Sequence, residues 1–309
     1  MTRVAAIDCG TNSIRLLIAD IDRGAGDLVD VVRLMETVRL GEGVDLSGEF
    51  SQSALDRTFA ACDAYARHIG SAEVEAIKFV ATSASRDVRN RDQFIDGVRE
   101  RLGVEPEVIT GDTEAQFSFT GAVRSLGRVI GTNTALVVDI GGGSTEFVRG
   151  QVSSGVAAAR SVDIGCVRMT ERHLRDDRPD PDQLAATIAD VDAAVASAND
   201  AVEFGAAQTL VGLAGSVTTV AAIALELAEY DADVIHGSRI SAADVTFVTQ
   251  RLLSMTRADR ARLGVMHPGR VDVIGGGALI LDRNMKAGGF TEVLVSEHDI
   301  LDGIAWSLA

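Results

Sequence analysis

The chain has 309 residues, 46% of them apolar, which suffices for two ordinary domains and excludes an intrinsically disordered protein. Its 45 acidic side chains outnumber 29 basic ones, and the net charge of −16 excludes nonspecific binding to nucleic acid or to an anionic membrane. Positive charge is almost all arginine, with lysine only at Lys78 and Lys286.

Two apolar, β-rich runs, Val4–Ile7 and Ile14–Ala19, bracket a tight polar loop, and 28–40 supplies a third strand. Leu55, Phe59, Cys62 and Ala66 recur at helical spacing within 51–69, behind a serine N-cap. A short buried strand at 77–81, an amphipathic helix at 87–102, a strand at 106–109 and a helix from about Asp112 follow. The pattern then restarts. Residues 135–140 and 145–148 again bracket a tight loop, with a third strand at 155–162. Pro179 and Pro181 mark a surface excursion before an alanine-rich helix at 183–204. Beyond it lie a strand at 209–213, helices at 217–229, 242–255 and 270–285, a strand at 293–296 and a closing helix at 300–308.

Cys9, Cys62 and Cys166 are odd in number and widely spaced, as in a reduced cytosolic chain rather than a disulfide framework. The first strand begins at once, with no signal-peptide pattern. The most apolar helical stretch, 217–228, is broken by Glu226 and too short to span a bilayer. A cytoplasmic protein with no membrane partner is expected.

The restart is visible residue by residue. Asp8-Cys9-Gly10-Thr11-Asn12-Ser13 aligns with Asp139-Ile140-Gly141-Gly142-Gly143-Ser144, 131 positions later. That is a duplication at domain scale. Glycines let a backbone approach a phosphate and aim several N–H groups at its oxygens. Thr11, Asn12, Ser13, Ser144 and Thr145 add small donors. Asp8 and Asp139 cannot face an anion directly, so they are candidates to hold Mg²⁺. Either loop alone reads equally well as an ordinary β-hairpin; two at matching places do not. No Walker-type loop, dinucleotide fingerprint or nucleophile elbow is present, and the five histidines lack metal-ligand spacing.

These two loops resemble the phosphate loops of the exopolyphosphatase/guanosine pentaphosphate phosphohydrolase family, within the superfamily of actin, sugar kinases and heat-shock chaperone ATPases. Further matches run in order along the chain: 81–86 (Ala-Thr-Ser-Ala-Ser-Arg), 109–115 (Ile-Thr-Gly-Asp-Thr-Glu-Ala), 165–168 (Gly-Cys-Val-Arg), 212–216, 268–270 and 296–297. The resemblance implies an α/β fold of two tandem actin-like, ribonuclease H-like domains with an interdomain cleft. Domain I takes residues 1–125 and domain II 126–309, with helix 300–308 a candidate to pack back on domain I.

The resemblance also implies roles. Glu114 sits at the attacking water, and Glu146 joins Asp139 and Asp8 at Mg²⁺. Gly10, Thr11, Asn12, Ser13, Arg86, Gly141, Gly142, Gly143, Ser144, Thr145, Gly215 and Ser216 bind phosphate. From the residues alone, Glu114 reads first as a helix-start carboxylate favoured by the dipole, worth about 0.3–1 kcal/mol. Arg86 reads equally as a solvated arginine, and Arg15 and Arg270 read better as exposed ion-pair partners than as substrate contacts. Where relatives often carry two adjacent glutamates, Thr113 precedes Glu114 here.

The implied reaction releases orthophosphate from the end of inorganic polyphosphate, with guanosine pentaphosphate the alternative substrate and a homodimer expected. Two rivals remain at this point: a kinase or ATPase of the same superfamily, and a non-catalytic sensor of guanosine polyphosphates. Longer relatives append helical domains after the region matching this C-terminus, which bears on grip. A surface of net charge −16 repels the overhang of a long polyanion within a Debye length of about 8 Å. Short chains should therefore be preferred. Measured per chain end from triphosphate upward, kcat/KM should fall with length, and a steady rise at low salt would refute this.

Overall fold

The computed structural model describes residues 1–86 and 88–309. The chain forms two compact units: residues 1–121 with 300–309, and residues 122–299. The units divide at 121/122, four residues before the expected 125/126 and within the same helix Gly111–Ile130, and the closing helix Ile300–Leu308 groups with the first unit.

In the first unit, β1 (Thr2–Cys9), β2 (Ser13–Asp22), β3 (Asp27–Thr37), β4 (Ala76–Ala81) and β5 (Glu107–Val108) form one sheet in the order β3-β2-β1-β4-β5. The first three strands pair antiparallel; β4 and β5 join β1 in parallel. Apolar residues continue along β1 because both its faces are covered. Ala5, Ile7 and Cys9 share a core with the helices Gln52–Ser71 and Arg91–Leu102, whereas Val4 and Ala6 pack with the closing helix through Ile300, Ile304 and Trp306.

Local chemistry fixes the helix starts. Ser51 Oγ accepts from Ala54 N at 3.2 Å, and Tyr65 on the same helix donates to Ile14 O at 2.8 Å. The helix expected over 87–102 begins at Arg91 instead. The Asn90 amide makes two 2.9 Å bonds to the Phe50 backbone, which holds the chain out of the helix up to that point. Asp87, the expected start, lies outside the described residues.

The second unit repeats the plan. β6 (Ala135–Ile140), β7 (Thr145–Gln151), β8 (Gly155–Val162), β9 (Thr209–Leu213), β10 (Arg239–Ser241) and β11 (Glu292–Val295) form a sheet in the order β10-β11-β9-β6-β7-β8. Strand β10 leaves no mark in the sequence pattern, being three residues long with only Ile240 buried. Pro181 opens the helix Pro181–Val202, capped by Asp180, whose carboxylate accepts from Gln183 N at 2.8 Å. Two expected helices shift. That at 217–229 runs Ala214–Ala224, ending before Glu226 takes φ 55°; that at 270–285 runs Ile274–Gly288 after a separate 3-10 turn at Pro268–Arg270. Among the described residues no helix is long and apolar enough to cross a membrane.

The closing helix approaches the helix Gly111–Ile130 closely at one point. A Cβ at Gly303 would lie 2.0 Å from the Phe117 carbonyl oxygen. Beside it, buried Asp302 accepts from Arg33 of β3, Nη2 to Oδ1 at 2.5 Å. A backbone atom cannot rotate away, so Gly303→Ala should lower the stability of the first unit by about 1–3 kcal/mol. Trp306, the only tryptophan, is buried in this unit and reports its unfolding. Its fluorescence transition in urea should move to lower concentration, and an unchanged midpoint would show that the helix shifts at no cost.

Candidate active site

In each unit the parallel strands end at one edge of the sheet, and the chemistry-bearing residues follow those ends. In the first unit the loop 10–12 follows β1, the turn 82–86 follows β4, and Glu114 follows β5. Thr82 N donates to Cys9 O at 3.1 Å and Ile109 N to Ala81 O at 3.1 Å, so the three strand ends are bonded side by side.

The first loop is held from behind. Gly10 N donates to Ser13 O at 2.9 Å. Thr11 O accepts from Gly41 N at 2.9 Å, and Asn12 O accepts from Val38 N at 3.1 Å and Arg39 N at 2.9 Å. Thr11 Oγ1 and Ser83 Oγ form a buried 2.9 Å hydrogen bond, which ties this loop to the turn after β4. Gly41 is needed there, because a Cβ would stand 2.3 Å from Thr11 Cγ2.

Glu114 lies in the first turn of its helix, 8% exposed, and its Oε2 accepts from Arg86 Nη1 at 2.7 Å. Arg86 also reaches Ile109 O at 3.4 Å. Two residues with separate expected roles thus form one ion pair, Glu114 buried and Arg86 partly so, in which Arg86 balances the charge of the carboxylate. Asp8, also buried, sits directly opposite Arg15 across β1 and β2, and its Oδ2 accepts from Arg15 Nη2 at 2.5 Å and Nε at 3.1 Å. Arg15 is therefore an ion-pair partner, though a partly buried one.

The second loop has the same skeleton. Gly141 N donates to Ser144 O at 3.0 Å, the counterpart of the Gly10–Ser13 bond. Its carbonyls accept from the segment after β8: Gly141 O from Cys166 N at 3.0 Å, and Gly142 O from Val167 N at 2.9 Å and Arg168 N at 3.1 Å. Thr145 Oγ1 donates to Ile164 O at 2.6 Å, so this hydroxyl is spent on the fold. Asp139 and Glu146 stand directly opposite on β6 and β7, 7% and 1% exposed. Ser161 Oγ donates to Glu146 Oε1 at 2.7 Å. Like charges facing each other across a ladder are destabilising, the more so when buried.

The turn after β9 places Gly215 under Arg270. A Cβ at Gly215 would lie 2.1 Å from the Arg270 guanidinium carbon, and Arg270 Nη1 donates to Thr219 Oγ1 at 3.1 Å. Arg270, expected as an exposed-pair residue, is thereby brought against the expected phosphate turn. Ser216 is buried and packs beneath Gly277 and against Cys166, whose thiol burial pushes up in pKa. Tyr230 lies 2.5 Å from Glu297 Oε1 and 2.7 Å from Thr218 Oγ1; burial and the adjacent Glu297 carboxylate raise its pKa, keeping it a neutral phenol. Tyr230 and Gly41 join these sites without any signal in the sequence, because nothing local marks a residue that acts across strands; Ser83 and Arg168 lie in the matched segments 81–86 and 165–168, which gave them no role.

Residues 17–308 match the model of the Ppx/GppA phosphatase family. Exopolyphosphatase 2 of Mycobacterium tuberculosis is 49% identical over 320 aligned residues, covering 100% of this chain and 99% of that protein. The crystal structure of an exopolyphosphatase-like protein superposes with a TM-score of 0.95 at 43% identity, covering 99% of this chain and 97% of the other. The Ppx/GppA family member of Aquifex aeolicus gives a TM-score of 0.81 at 27% identity, over 99% of this chain and 97% of that one.

Proposed function

Because the chain belongs to the Ppx/GppA phosphatase family, we propose that it hydrolyses the terminal phosphoanhydride bond of inorganic polyphosphate, releasing orthophosphate, in the cytoplasm and as a homodimer. The observation that carries the reading is the pairing of buried Glu114 with partly buried Arg86, in the unit that holds the first glycine-containing loop. A buried carboxylate at that place suits activation of a water, which hydrolysis requires.

In-line attack on phosphorus requires positioning and charge neutralisation more than covalent chemistry. Glu114 accepts the proton of the attacking water at its carboxylate, held in place by the Arg86 bond to Oε2. Thr11, Asn12 and Ser13 in the first loop, and Gly142, Gly143 and Ser144 in the second, offer donors to phosphate oxygens, whereas Gly10, Gly141 and Thr145, also expected there, spend a donor on the fold itself. Gly215 and Ser216 contribute through the turn they form, with Arg270 as the cation carried against it.

Mg²⁺ completes the proposal. Among the described residues no group of three or more His, Cys, Asp or Glu side chains could cage a metal. Magnesium does not need such a cage, being held typically by one or two carboxylates with waters and substrate phosphates. Asp139 and Glu146, two buried carboxylates in register, fit that donor set, and a cation there would offset their repulsion. Asp8, expected as a third ligand, fits less well because Arg15 engages its Oδ2. When bound, the ion supplies neutralising charge to the phosphate oxygens.

Phosphate release from polyphosphate, guanosine pentaphosphate and ATP tests the reading. Turnover of polyphosphate is expected; turnover of ATP alone or binding without turnover would overturn it. Glu114→Gln keeps shape but loses the proton acceptor, so kcat should fall on the order of 10²–10⁴. A variant with near wild-type kcat would leave Glu114 a helix-start residue. Asp139→Asn should shift the Mg²⁺ dependence of activity to higher concentration, and an unchanged titration curve in a folded variant would remove the carboxylate from the metal.

A further inference from the structure

The second loop has three consecutive glycines, and peptide planes flanked by glycine flip at little steric cost. A flipped plane would turn a carbonyl oxygen toward the phosphate where an N–H is needed. Something must therefore fix these planes, and the structure shows what does.

In a planar trans peptide the C=O and N–H point in opposite directions. The carbonyls of Gly141 and Gly142 are taken by Cys166, Val167 and Arg168 main-chain N–H groups at 2.9–3.1 Å. The third carbonyl, Gly143 O, accepts from a side chain, Arg168 Nε, at 2.8 Å. The N–H groups of Gly142, Gly143 and Ser144 are consequently all turned to the opposite side. The segment sits against the loop tightly enough to require Gly165, where a Cβ would lie 2.3 Å from Gly142 O.

The first unit supplies an internal comparison. Thr11 and Asn12 occupy the positions of Gly142 and Gly143, 131 residues earlier. Thr11 O is pinned by Gly41 N, and Asn12 O by the main-chain N–H groups of Val38 and Arg39. The same carbonyl is thus pinned in both repeats, by backbone in one and by a guanidinium in the other. The side-chain lock falls in the loop whose glycines make it most necessary.

We infer that Arg168 is a positioning residue for phosphoryl transfer: its Nε–H holds the Gly143–Ser144 peptide so that Ser144 N–H faces the substrate phosphate. The inference rests on the hydrolase reading above. It assigns to Arg168 a hydrogen bond, not a charge, and that distinction is testable. Glutamine places its amide nitrogen at the same bond position along the side chain as arginine Nε, without the charge. Lysine keeps the charge but has a methylene there; methionine has neither.

Phosphate release by the full chain carrying Arg168→Gln, Arg168→Lys or Arg168→Met decides it. Met and Lys should lower kcat on the order of 10², the effect of losing one aligned donor to a developing oxyanion, with KM nearly unchanged. Gln should restore most of the rate. Activity kept by Lys and lost by Gln would make Arg168 a charge contact with substrate and overturn the inference, as would equal loss in all three or loss in none. The carbonyl ¹³C chemical shift of Gly143 in the protein without substrate gives a second readout, because it follows the hydrogen bond to that oxygen directly. It is expected to move in the Met and Lys variants but not in Gln, and an unchanged shift throughout would also overturn the lock. Because that readout needs no turnover, it stands even where the wild-type protein proves inactive on polyphosphate.

Discussion

A peptide plane can offer its N–H to an anion only if its carbonyl, pointing the other way, is satisfied elsewhere. That constraint organises both halves of this molecule. Behind each loop runs a segment that leaves the third strand of its hairpin meander and donates N–H groups to the loop carbonyls: Val38–Gly41 in one unit, Cys166–Arg168 in the other. Gly41 and Gly165 stand where each segment touches its loop, both too close for a side chain. The two loops are therefore not free turns. Their outward face is the consequence of an inward network, and the third strand of each sheet serves chiefly to deliver it.

The duplication is faithful in backbone and divergent in charge. Asp8 and Asp139 occupy the same place, and so do their cross-strand partners, but the partner is Arg15 in one half and Glu146 in the other. One aspartate is thereby neutralised within its own ladder, while the other shares a buried position with a second carboxylate. Two copies of one hairpin thus differ in local charge through a single residue choice, with no change in register. Glu114 has no such duplicate: it comes from the helix after β5, and its partner Arg86 comes from the turn after β4.

Much of this architecture is legible in the order of residues along the chain. The strands 135–140 and 209–213 begin and end where apolar and β-branched runs suggest, because a strand buried on both faces leaves little choice of register or length. The helix 51–69 is announced by its serine cap. The failures have physical causes too. Asn90 bonds to the Phe50 backbone, far away in sequence, and delays a helix whose periodicity begins earlier. Ala214 and Glu226 adopt positive φ and reset both ends of the helix expected over 217–229, although neither residue type favours that conformation. Strand β10 exists only because β11 is there to pair with it.

The sequence by itself determined the duplication, the Asp-x-Gly loops, the strand–helix order and the identity of the acidic residues at the strand ends, since each depends on spacing along the chain. Tertiary structure decided the partnerships. That Arg86 bonds Glu114, Arg15 bonds Asp8, Arg270 rests on Gly215 and Arg168 pins Gly143 follows from which strand ends lie side by side. Sequence distance carries no record of these contacts. Hydrogen bonds of under 3 Å are set by strand order and register, and those become fixed only when the two faces of each sheet are buried.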